Sequence, residues 1–156
     1  MPTGLKQSSS VVSIGFQALE SAANTFVQTS VDLNLSPLDR EVFVVLAVNL
    51  DTFTPDAVAG VDTRVNSSVS TTSQTAVTDI NNSNCLAAHA NLIKAAGFID
   101  SGVGFTTGAI ETPPATLEYI GIIATNDFFV QCLGTNNLAA RGVNGRMWGY
   151  RARADA

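Results

Sequence analysis

The run Glu41-Val42-Phe43-Val44-Val45-Leu46-Ala47-Val48-Asn49-Leu50-Asp51 constrains this chain more than any other segment. A strand with one wet side alternates apolar and polar residues, whereas this one is β-branched and apolar on both faces, so it belongs between two layers at the centre of a core. The preceding segment shows the other kind of strand. Val27, Thr29, Val31, Leu33 and Leu35 fall on one face, and Gln28, Ser30, Asp32 and Asn34 on the other. Ser36-Pro37-Leu38-Asp39 between the two reads as a turn, with proline fixing φ and Ser and Asp bonding nearby backbone.

The rest of the chain reads around that pair. Residues 1–13 show no periodicity and are expected to form a flexible arm. Ile14 to Asn24 reads as a short helix or a loop, because Phe16, Leu19 and Ala23 have helical spacing while Gly15 and Asn24 weaken it. Residues 52–60 read as a loop, followed by polar strands near 61–66 and 69–77 whose serines suit an edge position. The segment 85–96 is expected to be helical: Leu86, Ala90 and Ile93 make an i, i+4, i+7 stripe, Ser83 or Asn84 can cap it, and Gly97 stands where a left-handed residue would close it. A Gly- and Thr-rich loop is expected over 101–114, with a short strand near 103–107. Two hairpins should follow, one turning at Thr125-Asn126-Asp127 and one at Asn144-Gly145, a pair suited to the positive φ of a type I′ turn. In the last strand the Arg146, Trp148 and Tyr150 face is expected to point inward, and Arg151 and Arg153 outward. The sum is a mainly β domain over 14–156, a two-sheet antiparallel sandwich of about 8–9 strands, jelly-roll-like, with one inserted helix near 85–96.

Charge bounds the partners. Only 13% of the residues are charged, about half the usual ~25%, so Ser, Thr and Asn supply the polar surface, and other copies of the chain are expected to cover part of it. The net charge of −5 argues against a surface built wholly for nucleic acid or an anionic membrane. Four of the six arginines, Arg141, Arg146, Arg151 and Arg153, lie in the last sixteen residues, giving +3 from Leu138 onward against −8 for the rest. Arginine holds carboxylates through paired hydrogen bonds, so these four are the candidate subunit-interface residues, ahead of a role in binding nucleic acid.

The irregular Ser-rich arm, the short Val/Thr strands, the inserted helix and the closing strand Arg146-Met147-Trp148-Gly149-Tyr150-Arg151 together resemble single jelly-roll viral coat proteins. The resemblance is one of pattern over most of the chain, and it implies self-assembly into a shell, with the chain itself as main partner and a second shell subunit allowed. The arm departs from the strongly basic arms of many such coats, which argues against genome binding by residues 1–13. A virion location follows if that reading holds, and a cytoplasmic one otherwise, since no signal-peptide pattern or long apolar span is present. The alternative is a β-sandwich module that binds carbohydrate through loops 52–60 and 101–114.

Catalytic patterns are weak, and the chain is read as a non-enzyme without a cofactor. Cys85 and His89 would touch on a helix, as a thiol with its base or as two metal ligands, but zinc needs two more ligands. With His89 as the single histidine and no Gly-x-Ser-x-Gly elbow, a serine triad is disfavoured. Asp51 and Asp56 lack the dense alternating oxygens of a calcium loop. Gly102, Gly104 and Gly108 imitate a dinucleotide fingerprint without the strand before it or the helix after it.

Overall fold

The computed structural model describes residues 3–97, 99, 102–108 and 117–154. Ten strands form among them: β1 (Leu5–Gln7), β2 (Val12–Leu19), β3 (Val27–Asp32), β4 (Glu41–Thr52), β5 (Thr63–Ser70), β6 (Cys85–Lys94), β7 (Val103–Gly108), β8 (Gly121–Ile123), β9 (Asp127–Thr135) and β10 (Gly142–Ala154). They make two antiparallel sheets packed as a sandwich. In sheet A, β10 has β4 on one edge and both β1 and β2 on the other, and β8 lies beyond β4. Sheet B runs β3-β9-β5-β6-β7.

The first half of the Glu41–Asp51 run takes the central place expected of it, with Phe43, Val44 and Val45 fully buried, whereas Ala47, Asn49 and Asp51 are exposed. Phe43 and Val45 enter the inter-sheet core with Phe16, Leu33, Val65, Val69, Phe128, Val130 and Met147, and Phe16 meets Phe128 edge to face at 5.6 Å. Val44 faces the other way, where Tyr150, Ala152, Leu5, Val42, Leu46 and Tyr119 form a second apolar cluster on the outside of sheet A. A bulge separates the two halves of β4. Trp148 of β10 pairs with Ala47 and Gly149 with Val45, which leaves Leu46 as the extra residue. Beyond it β4 turns polar on its outer face, at Asn49 and Asp51.

Several local expectations are corrected. Residues 85–94 are strand β6, paired with β5 on one side and β7 on the other, and no helix forms there. Both ladders satisfy the backbone, and the period-two pair His89 and Asn91 reaches Thr52 of β4 from the inner face, which outweighs the alanine-rich helical stripe. Gly97 does take a positive φ of 89°, but after a strand. The segment 14–24 is neither helix nor loop at its start, since β2 continues to Leu19. Within residues 1–13, Leu5–Gln7 pairs with Ala152–Ala154.

No hairpin forms at Asn144-Gly145, because β10 runs straight through it. Gly145 is small for packing rather than for turning: a Cβ there would stand 2.3 Å from the Phe16 ring and 2.9 Å from the Asn49 carbonyl. The Thr125–Asp127 turn joins β8 in sheet A to β9 in sheet B, so it crosses between layers instead of closing a hairpin. The polar strands collapse into one, β5, which is central and not an edge. Its serines are buried, Ser67 inward, and Ser68 and Ser70 under the 71–84 segment.

The faces of β10 are also reversed from expectation. Met147 belongs to the core, and Gly149 lets the Phe43 ring and the Val44 carbonyl approach, at 2.5 Å and 2.3 Å from where its Cβ would be. Arg146, Trp148 and Tyr150 therefore lie on the outer face.

Candidate functional site

The four C-terminal arginines are not brought together. Arg141 pairs with Asp56 inside a polar knot at one end of the sandwich. There the Asp56 carboxylate also accepts the Leu138 and Ala139 amides at 2.8 and 3.1 Å, and buried Glu20 accepts those of Gly134 and Arg141 at 3.0 and 2.9 Å. Asn137 and Asn24 cross-link the same connection. Arg151, expected outward, shares the interior face of Met147 and Gly149, and its guanidinium donates to the Leu33 carbonyl at 2.7 and 3.2 Å. Arg153 stands 3.9 Å from Asp39 with both side chains half exposed. Arg146 is exposed and donates to Ser13 at 3.0 Å. Arg141 and Arg151 thus bind this chain's own loops, and Arg146 and Arg153 remain surface cations.

The other candidates change in the same way. On an extended strand Cys85 and His89 are about 13 Å apart along the backbone, so the dyad expected on a helix does not form. Cys85 donates weakly to the Ala87 carbonyl. Cys132 is fully buried in the core, and burial, aided by the Glu20 charge, pushes its thiol up to about 12. Among the described residues no group of three or more His, Cys, Asp or Glu could hold a metal ion. The 52–60 loop is tied into the polar knot through Asp56, and within 101–114 residues 103–108 are strand β7, residues 101 and 109–114 lying outside the described residues.

What sequence reasoning missed is the outer face of sheet A. The register sets Gln17, Asn144 and Asp51 on one rung, Gly15, Arg146 and Asn49 on the next, and Ser13, Trp148 and Ala47 on a third. An open cavity of about 510 Å³ is lined by Asn49 and Asp51 of β4 and Asn144, Arg146 and Trp148 of β10, and Ala87, Ala88 and His89 of β6 complete its wall. The signal was present in the alternation of Asn49 with Asp51 and of Asn144 with Arg146 and Trp148, but it required knowing that the two strands are neighbours. His89 closes the site from inside: its Nδ1 lies 2.7 Å from the Thr52 hydroxyl, itself 2.7 Å from that of Ser67, which donates to the His89 carbonyl at 3.2 Å. Burial lowers the pKa of His89 below the usual 6.5, and nearby Asp51 opposes that shift only in part.

Comparison with known proteins finds no matching family model, no matching curated protein and no matching solved structure.

Proposed function

We propose that the chain is a self-associating structural subunit, a coat or shell component, that acts by packing against copies of itself. The observation that carries this reading is the edge of sheet B. Strand β7 has a described neighbour only on its β6 side, and Val103 and Phe105 on it are 46% and 50% exposed. Its sequence Val103-Gly104-Phe105-Thr106-Thr107-Gly108 holds no charge and no proline. Proteins that remain monomeric protect such edges with lysine, proline or a bulge, because the open ladder otherwise pairs with another chain. A charge-poor surface adds little repulsion between copies. In this reading a second β7 extends sheet B, and the surface cation Arg153 meets acidic surface of a neighbour.

Light scattering and electron microscopy of the purified protein test it. The wild type is expected to form oligomers or particles, and Phe105→Lys to weaken association at least tenfold with an unchanged β-sheet spectrum. A wild type that stays monomeric at high concentration across a range of salt, or a Phe105→Lys variant that assembles like it, overturns the proposal.

A further inference from the structure

The outer face of sheet A carries a second function, separate from the β7 edge. We infer that the cavity over Trp148 binds a neutral oligosaccharide. Ligand sites are typically concave, about 300–1,000 Å³, and combine apolar or aromatic wall with a few convergent polar groups, and this cavity, at about 510 Å³, has that composition. Trp148 supplies a partly exposed aromatic surface at one end. Asn49, Asp51, Asn144 and Arg146 supply planar polar groups on the adjoining rungs, with neighbouring strands about 4.8 Å apart.

The polar groups are free to bind. Among the described residues the Asn49 amide and the Asp51 carboxylate have no hydrogen-bond partner, both being exposed on a sheet that elsewhere bonds its side chains. Asn144 accepts from Gln17 at 2.7 Å, which leaves its amide N–H groups to donate. Arg146 spends one donor on Ser13 and keeps the rest of its fork. Together these groups present both donors and acceptors side by side, which is what adjacent sugar hydroxyls require, since each hydroxyl both donates and accepts. Ala47, beside Trp148, leaves the β4 side of that rung low, so a chain of rings can lie along β10 across Asn144, Arg146 and Trp148.

Charge chooses among ligands. Arg146 and Asp51 cancel, and the whole protein carries −5. Phosphate-rich ligands need a surplus of cations, so a nucleic acid or a polyphosphate is disfavoured here. A neutral sugar fits both the cancelled charge and the aromatic wall.

The chain has a single tryptophan, so its fluorescence reports on this cavity alone. The full-length protein is titrated with maltotriose, cellotriose, chitotriose and lactose, and separately with heparin and a single-stranded oligonucleotide. At least one neutral sugar is expected to shift the Trp148 emission saturably at millimolar concentration or below. Asn49→Ala and Asp51→Asn, both at exposed positions, should weaken that binding at least fivefold, and Phe105→Lys should leave it unchanged. Trp148→Ala, read by calorimetry, should lose binding, with Trp148→Phe retaining most of it. No response to any neutral sugar, a response to the polyanions alone, or full affinity in both Asn49→Ala and Asp51→Asn overturns the inference, even if Trp148→Ala does not fold.

Discussion

The outer faces of the two sheets both carry a polar patch, and the two patches are finished in opposite ways. On sheet B the polar groups are sealed by the chain itself. Gln131, fully buried, accepts from Ser68 at 2.7 Å and donates to Gln28 and Ser70 at 2.9 and 2.8 Å. The 71–84 segment closes over them, its Gln74 amide donating to Gln28 and its Thr78 amide to Ser68. On sheet A, Asn49, Asp51 and Arg146 stand in the open with no segment over them among the described residues. Similar residue types therefore do different work. Under a cover they bond each other and hold a loop; without one they keep their hydrogen-bonding capacity for something outside the chain.

The contrast breaks first on the sealed side. Gln131→Ala takes one hydrogen bond each from Ser68, Ser70 and Gln28, which keep their bonds to Thr78, Thr72 and Gln74, and at about 1 kcal/mol net per bond a loss of roughly 3 kcal/mol is expected in denaturant unfolding. A loss below about 1 kcal/mol would mean that water replaces the network, and that the sealed face is not sealed.

A smaller effect is expected at the border, where His89 lines the sheet A cavity and a second one beneath Thr78 and Ile80. Because burial lowers its pKa below 6.5, the unfolded chain binds the proton more readily than the folded one. Stability present above the unfolded pKa is therefore lost as pH falls through 6.5 toward the folded value. Melting curves from pH 7.5 to 5 should show that decline, and His89→Gln should flatten it; an equal slope in both proteins would place the titration elsewhere.

The smallest effect belongs to the open face. Asn49→Ala and Arg146→Ala should each change stability by no more than about 0.5 kcal/mol, as surface substitutions usually do. A larger loss would make these residues part of the fold and would remove the distinction between the two faces.

The two faces were also unequally legible. The core strand was readable because burial on both sides leaves a continuous apolar run in one segment, and Phe43, Val44 and Val45 carry it. The alternating strand expected over 27–35 was readable as far as Asp32, where β3 ends, and two packed sheets follow from such elements. The sealed network was not, because Ser68, Ser70 and Gln131 look like surface residues until the 71–84 segment is laid over them. Local signals misled wherever a distant neighbour decided the matter. Asn144-Gly145 carries turn chemistry, but its glycine answers to Phe16, far away in sequence. Leu86, Ala90 and Ile93 have helical spacing, but β5 and β7 offer that segment two ladders. The open site suffered most, since β4 and β10 contribute its residues and only their register brings Asn49 beside Arg146.

Strand β10 also governs how the molecule is made. Its partners are Leu5–Gln7, Val12–Leu19 and Glu41–Thr52, so every long ladder of sheet A waits for residues 142–154. During synthesis the most apolar strand of the protein is finished long before the one that covers its edge. Ladders between such distant segments close slowly, since the chain entropy is lost before the contacts form. For that interval β4 is a bare template, in a protein whose strand β7 has no second neighbour among the described residues. The nascent chain is thus at its most adhesive just before strand β10 emerges.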